Sequence, residues 1–224
     1  MNQFDSISSI YDLIHQDKDY QKESEKIIKL IYENHKNPKK ILDVACGSGS
    51  HLSFFSKKFE CQGIDLCENL IKVAHKKGLK VHKEDMSNFE LNEKFDIITC
   101  LFGSIAHNLS LKKLEDTLLC FKKHLEKDGI VIIEPWLFEG QFKEQIAKRN
   151  VNENINIISK NTIKNKIANL DKTYNVFGKQ INSTIKTFCF SKQEYLNSII
   201  NSGFKCFHLN INLDFKNGIF LLKC

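Results

Sequence analysis

Between residues 20 and 135 short apolar runs alternate with segments whose apolar residues recur every three to four positions. Residues 20–35 place Ile27, Ile28, Leu30 and Ile31 on one side of a helical pattern, and Asn37-Pro38 stops it. Residues 40–45 (KILDVA) then form a short apolar run suited to a strand buried on both faces. A Gly-rich turn, Cys46-Gly47-Ser48-Gly49-Ser50, leads into a helix near residues 51–58. A second strand over 61–66 carries Asp65 near its end. A helix at 68–77 is closed by Gly78, and a third strand follows at 79–83. Residues 95–101 (FDIITCL) predict a fourth strand, 111–125 an amphipathic helix with Asp128-Gly129 as its exit, and 129–134 (GIVIIE) a fifth strand. This rhythm implies right-handed crossovers and an α/β fold with a mostly parallel sheet.

After Pro135 the texture changes. Residues 150–190 are rich in Asn, Lys and Thr, with Ile155, Ile157, Ile163, Ile167, Ile181 and Ile185 spaced as in antiparallel strands. Ser191 and Glu194 stand at the spacing of a capping box ahead of a helix over 191–201, and Gly203 ends it. Residues 204–211 and 218–223 close the chain as an antiparallel pair. The expected organisation is a lid and cofactor core over 1–142, an inserted antiparallel cap over 143–190, and a C-terminal helix and strand pair over 191–224 that complete the core sheet.

Composition narrows the function classes. The chain has 224 residues, 42% apolar and 27% charged, with no apolar run long enough to span a membrane. No basic region precedes an apolar stretch at the N-terminus, and none of the eight cysteines forms a C-x-x-C pair. Both features point to a cytoplasmic protein with reduced thiols and no zinc. The net charge is +6, but Arg149 is the sole arginine and the lysines are interleaved with Glu and Asp. That is a solvated surface, not a nucleic-acid interface built on bidentate arginines.

The most informative stretch is residues 41–66. A buried strand, the turn DVACGSGSHL, a helix and a strand ending in an acid bring a Gly-rich loop beside a carboxylate placed to accept ribose hydroxyls. Leu52 occupies the third glycine position of a dinucleotide fingerprint, and no G-K-[ST] follows, so NAD, FAD and P-loop readings are disfavoured. Asp43, buried in the first strand, is expected to order the turn by accepting its backbone N–H groups.

DVACGSGSHL and GIDLCENL resemble the first two motifs of class I S-adenosylmethionine-dependent methyltransferases, and Glu84-Asp85-Met86 resembles their adenine-binding motif. YDLIHQDKDY, FGSIAHN and EPWLFEGQF further resemble the bacterial N,N-dimethyltransferases that act on dTDP-linked amino sugars of the desosamine and mycaminose type. The resemblance is good over residues 8–142, thin over 143–190 and partial beyond. It implies a Rossmann-like fold with a seven-stranded sheet, helices on both faces and a small antiparallel insertion after strand five. It implies S-adenosylmethionine as methyl donor, S-adenosylhomocysteine as product and no metal. Its cofactor site would comprise Tyr11, Tyr20, Ala45, Gly47, Gly49, Asp65, Leu66, Asp85, Met86, Cys100 and Leu101. Asp65 would hold the ribose, Asp85 with Met86 the adenine, and residues 100–102 the cleft floor. His107 would be catalytic, facing the acceptor amine, with His15, Phe102, Trp136 and Lys216 at the substrate and Glu134 and Pro135 nearby. Lys216, in the loop Leu213-Asp214-Phe215-Lys216-Asn217-Gly218, takes the place of the family's phosphate-binding Arg, as a point charge.

The expected partner is thus a small, nucleotide-linked or phosphorylated molecule, with no nucleic acid and no membrane, and the protein a monomer or homodimer. The expected reaction is N-methylation of a nucleotide-linked amino sugar in surface-glycan (capsular polysaccharide) or natural-product biosynthesis. The rivals are O-methylation of a sugar hydroxyl or of a phosphate- or phosphoramidate-bearing polysaccharide precursor, and a non-catalytic nucleoside-binding module.

Overall fold

The structure is a computed structural model, described here for residues 2–209 and 215–224. Seven strands form the main sheet: β1 (Lys40–Val44), β2 (Glu60–Asp65), β3 (Val81–Lys83), β4 (Phe95–Cys100), β5 (Leu125–Ile133), β10 (Lys205–Leu209) and β11 (Ile219–Lys223). Their order is β10-β11-β5-β4-β1-β2-β3. All neighbours pair in parallel except β11, which runs antiparallel to both β5 and β10. The sheet order reverses between β1 and β4, so a crevice opens beyond the carboxyl ends of those strands.

Apolar residues on consecutive positions feed both faces, which is why β1, β4 and β5 read as unbroken apolar runs. Ile41, Ile97, Ile130 and Ile132 pack under Ile27, Leu30 and Ile31 of α2 (Tyr20–Asn34). Leu42, Ile98, Val131 and Ile133 pack against Leu114, Leu118 and Phe121 of α5 (Leu111–His124) and Tyr195 and Ile199 of α6 (Lys192–Asn201). The capping box at Ser191 and Glu194 is formed by both of its hydrogen bonds. Short helices α3 (Leu52–Phe55) and α4 (Glu68–Lys76) complete the β1–β3 crossovers.

A second, four-stranded antiparallel meander comprises β6 (Gln145–Asn152), β7 (Ile155–Lys164), β8 (Ile167–Val176) and β9 (Lys179–Phe188). Its inner face meets the N-terminal strap, a 3-10 turn at Asp5–Ile10 followed by α1 (Tyr11–Ile14). Ile7, Ile10 and Ile14 of the strap pack on Ile155, Ile157, Tyr174, Val176 and Ile185. The strap is therefore held against the meander over the mouth of the crevice.

Two expectations change. Helix α5 stops at His124, and Asp128-Gly129 lies inside β5, where a register shift opposite Phe95–Ile97 accommodates it. A Cβ on Gly129 would stand 2.8 Å from the Asp96 carbonyl, so the glycine serves close strand packing and not a helix exit. Asp43 binds no turn N–H. Its carboxylate accepts from Thr99 Oγ1 at 2.7 Å across the β1–β4 pair. The expected strand 204–211 extends past the described residues, since 210 and 211 lie outside them.

Candidate active site

At the end of β1 the backbone turns sharply. Ala45 and Gly47 adopt φ of 54° and 57°, left-handed conformations that free the Gly47 N–H to donate to Asp65 Oδ2 at 2.8 Å. Asp65 Oδ1 accepts from Cys67 N at 2.7 Å at the start of α4. One carboxylate thus joins the Gly turn to the next helix. Burial nevertheless raises its pKa, with the Cys67, Gly47 and Leu66 N–H groups opposing that rise.

Two cavities meet at this carboxylate. One, of about 450 Å³, is walled by Asp65, Leu66, Glu84, Asp85, Met86 and Leu109, with Lys113 and Lys186 at its rim. Asp85 Oδ1 accepts from the Ser87 N–H (2.9 Å) and hydroxyl (2.8 Å), with Lys113 3.7 Å from Oδ2. Burial raises the Asp85 pKa, but these donors outweigh it and hold the carboxyl below its ordinary value. The second cavity, of about 330 Å³, is walled by Tyr11, His15, Phe102, Trp136, Leu170, Lys172, Thr187 and Lys216. Phe4, Ala45, Asp65 and His107 border both. A small third recess, of about 30 Å³, lies under the Gly turn between Tyr11, Tyr20, Asp43, His51 and Leu101.

The second cavity is aromatic, and burial disfavours charge on the histidines and the carboxylate at its edge. His15 lies 4.8 Å from the Tyr11 ring and 5.3 Å from Phe102. Burial, then Arg149 and Lys172, lower its pKa to about 3, so it stays neutral. His107 is likewise lowered, by burial first. Glu134, at the end of β5, accepts from the Phe102 N–H and is raised by burial. Trp136 packs on Gly103, where a Cβ would come 2.9 Å from Trp136 Cδ1. The Thr187 hydroxyl in the wall has no hydrogen-bond partner among the described residues.

The sequence-derived candidates divide accordingly. Tyr11, His15, Gly47, Phe102, Trp136 and Lys216 line the second cavity; Leu66, Asp85 and Met86 line the first; Ala45, Asp65 and His107 border both; Tyr20 and Leu101 line the recess. Two do not reach these spaces. Cys100 is fully buried on the face of β4 that packs against α5 and α6, and only its carbonyl approaches β5, accepting from Glu134 N at 2.9 Å. Gly49 faces α4 and its exit: a Cβ there would stand 2.3 Å from Leu79 Cδ1 and 3.5 Å from Ala74 Cβ. Leu213 and Asp214 lie outside the described residues. Gln3, Phe4, Leu170, Lys172 and Thr187 were not anticipated. Lys172 carries a readable signal, a cation in the β8 register shared by Leu170, Tyr174 and Val176. Burial, then Arg149, lower its pKa to about 8. The strap's Ile7, Ile10 and Ile14 also show helical spacing.

The donor set suits S-adenosylmethionine. The Asp65, Glu84 and Asp85 carboxylates border the first cavity, acceptors of the kind that ribose hydroxyls and an adenine amino group require. Gly47 leaves open a space that a side chain would fill toward Tyr11 and Leu70. The rings of Phe4, Tyr11, Phe102 and Trp136 line the second cavity, surroundings that suit a cation such as a sulfonium. Among the described residues no group of three His, Cys, Asp or Glu converges as a metal site, and no helix is long and apolar enough to cross a membrane.

Residues 41–129 match the model of a methyltransferase domain. The chain is 34% identical over 141 residues to dTDP-3-amino-3,6-dideoxy-alpha-D-glucopyranose N,N-dimethyltransferase of Streptomyces fradiae, covering 61% of this chain and 55% of that protein. It is 33% identical over 142 residues to dTDP-3-amino-3,4,6-trideoxy-alpha-D-glucopyranose N,N-dimethyltransferase of Streptomyces venezuelae, covering 61% and 60%. These alignments span under two thirds of either curated relative. The crystal structure of Streptomyces venezuelae DesVI superposes with a TM-score of 0.88 at 25% identity, covering 96% of this chain and 97% of that one. Over residues 41–129 the chain is thus similar to a methyltransferase domain, and over nearly its whole length it shares the fold of DesVI.

Proposed function

We propose that the protein transfers a methyl group from S-adenosylmethionine to the amino group of a nucleotide-linked amino sugar. The observation that carries this reading is the pair of cavities meeting at Asp65, Ala45 and His107, one edged by carboxylates and the other by aromatics and lysines. In the first cavity and the recess, Asp65 and Leu66 would hold the ribose, Asp85 and Met86 the adenine, and Tyr20, Leu101 and Gly47 the amino-acid end. S-adenosylmethionine, when bound, supplies a methyl group already activated on sulfur.

The remaining work is alignment and exclusion of water. Phe102, Trp136, His15 and Tyr11 wall the acceptor, and the strap covers it. His107 borders both cavities, so a single imidazole would stand beside the reacting amine. Its lowered pKa keeps it neutral near pH 7, able to exchange hydrogen bonds with an amine without repelling it. Lys216 and Lys172 supply positive charge for a phosphorylated substrate. Both reactants are cytoplasmic metabolites, and on this reading so is the enzyme, as a monomer or homodimer.

The test is incubation of the protein and S-adenosylmethionine with dTDP-linked 3-amino and 4-amino sugars, read by mass spectrometry. A 14-Da gain at nitrogen, with stoichiometric S-adenosylhomocysteine, supports the proposal. Methylation of the same sugars only at oxygen, or donor binding without turnover on any nucleotide sugar, overturns it.

A further inference from the structure

Gln3 of the strap reaches into the site from outside the methyltransferase motifs. Its carbonyl accepts from Ser183 Oγ at 3.0 Å, and its side-chain Oε1 accepts from the Lys186 N–H at 2.9 Å, both on β9. A backbone N–H can only donate, so this second bond fixes which way the amide points. Gln3 Nε2, a donor only, therefore faces His107 Nδ1 at 3.0 Å. The Lys186 carbonyl, an acceptor only, lies 3.1 Å from the same Nδ1. One nitrogen thus has two partners with opposite requirements. Gln3 needs its lone pair; the Lys186 carbonyl needs its proton. Among the described residues Nε2 of His107 has no hydrogen bond, and the Phe4 ring stands 5.3 Å from the imidazole at a steep angle, closing the strap over it.

We propose that Gln3 is a positioning residue that selects the tautomer of His107. With the strap docked, Gln3 Nε2 donates to Nδ1, and the imidazole proton resides on Nε2. His107 then meets the substrate as a hydrogen-bond donor. When Gln3 withdraws, Nδ1–H donates to the Lys186 carbonyl, and Nε2 presents a lone pair that accepts an amine N–H. The exchange moves one proton between the two ring nitrogens and leaves the net charge unchanged. The Lys172 ammonium on β8 is the charged group that bears on the ring, and it is unaltered by the exchange. The functional meaning rests on the methyl-transfer reading, but the tautomer assignment does not.

The experiment is long-range proton–nitrogen correlation NMR of the full chain with nitrogen-15-labelled histidine, at mildly alkaline pH. The spectrum of His107→Asn identifies the His107 signals among those of the eight histidines. The wild type is expected to hold an excess of the Nε2–H form of up to about fivefold, the ratio given by a difference of about 1 kcal/mol between the two competing hydrogen bonds. Gln3→Glu keeps the acceptor for Lys186 N–H but turns an acceptor toward Nδ1; Gln3→Leu leaves the Lys186 carbonyl alone there. Both are expected to invert the ratio to Nδ1–H. A wild type in the Nδ1–H form, or variants whose ratio matches wild type, overturns the assignment. Should one variant fail to fold, the other variant and the wild-type spectrum still decide. A protein that shows the inversion but methylates no amino sugar would sink the proposed activity and leave this assignment standing.

Discussion

Gly49→Ala separates a packing role from a ligand role at the second glycine of the turn. Gly49 has φ of +77°, where a side chain costs about 1–2 kcal/mol. The new Cβ would meet Leu79 Cδ1 at 2.3 Å, a distance that forces the leucine tip to move. Overpacking of this kind costs about 1–3 kcal/mol. Together they predict a loss of roughly 2–5 kcal/mol, or a fall in melting temperature of about 4–20 °C for a chain of this size. Leu79→Ala alone removes apolar contacts with Ala74 and its neighbours and is also destabilising. The double variant opens the space the new methyl needs. It is expected to be about 1–3 kcal/mol more stable than the sum of the two single losses. Circular-dichroism melts of the four proteins give this coupling, and calorimetry with S-adenosylhomocysteine gives the binding. Affinity per folded molecule should change by less than about threefold, under 1 kcal/mol. Two results would refute the reasoning: a Gly49→Ala protein melting within about 1 °C of wild type, or one that is fully stable but unable to bind.

Other outcomes follow from the same geometry. Asp65→Asn is expected to weaken S-adenosylhomocysteine binding at least about tenfold, since ionised acceptors form the stronger hydrogen bonds; unchanged calorimetric affinity would remove Asp65 from the ribose site. The Asp43 carboxyl is raised by burial from 3.8 to about 6 in the folded protein, so its neutral form is the one folding favours. Between those values rising pH ionises the unfolded chain first, and stability falls by up to about 3 kcal/mol; Asp43→Asn should abolish that slope in urea titrations and be the more stable protein at pH 7. Parallel slopes for the two proteins would contradict it. His107→Ala should lower kcat for an amine acceptor by less than about a thousandfold, because general acid–base help of about 10²–10⁴ is needed in full only by a hydroxyl; a larger loss measured across pH would argue for an essential base. Lys216→Ala, removing an exposed point charge, should raise KM for a diphosphate-bearing acceptor about two- to fivefold without altering S-adenosylhomocysteine affinity; equal changes in both would place Lys216 elsewhere.

Much of the core could be read from the chain because its cause is local. The apolar runs at 41–44, 97–100 and 130–133 are buried on both faces, and the turn from Ala45 to Gly49 needs small residues in left-handed conformations. Period, glycine placement and the acid at Asp65 therefore announced the parallel sheet and the crevice at its switch point. Where a boundary depended on a neighbour, local pattern misled. Asp128-Gly129 has the chemistry of a helix exit, yet strand pairing with β4 claims it. Asp43 sits beside the turn in sequence, yet Thr99, 56 positions away, is its partner.

The sequence by itself determined which strands are buried, where the chain turns and which carboxylates stand at strand ends, since those depend on periodicity and backbone sterics over a few residues. Tertiary structure decided which way each side chain of the turn faces, sending Gly47 to the cavity and Gly49 to Leu79. It also brought Gln3, His107 and Lys186 together from three distant parts of the chain. The physical reason is that a hydrogen bond between such residues forms only after packing of the strap on the meander has met the entropic cost of closing loops of that length. No pattern along the chain encodes such a meeting.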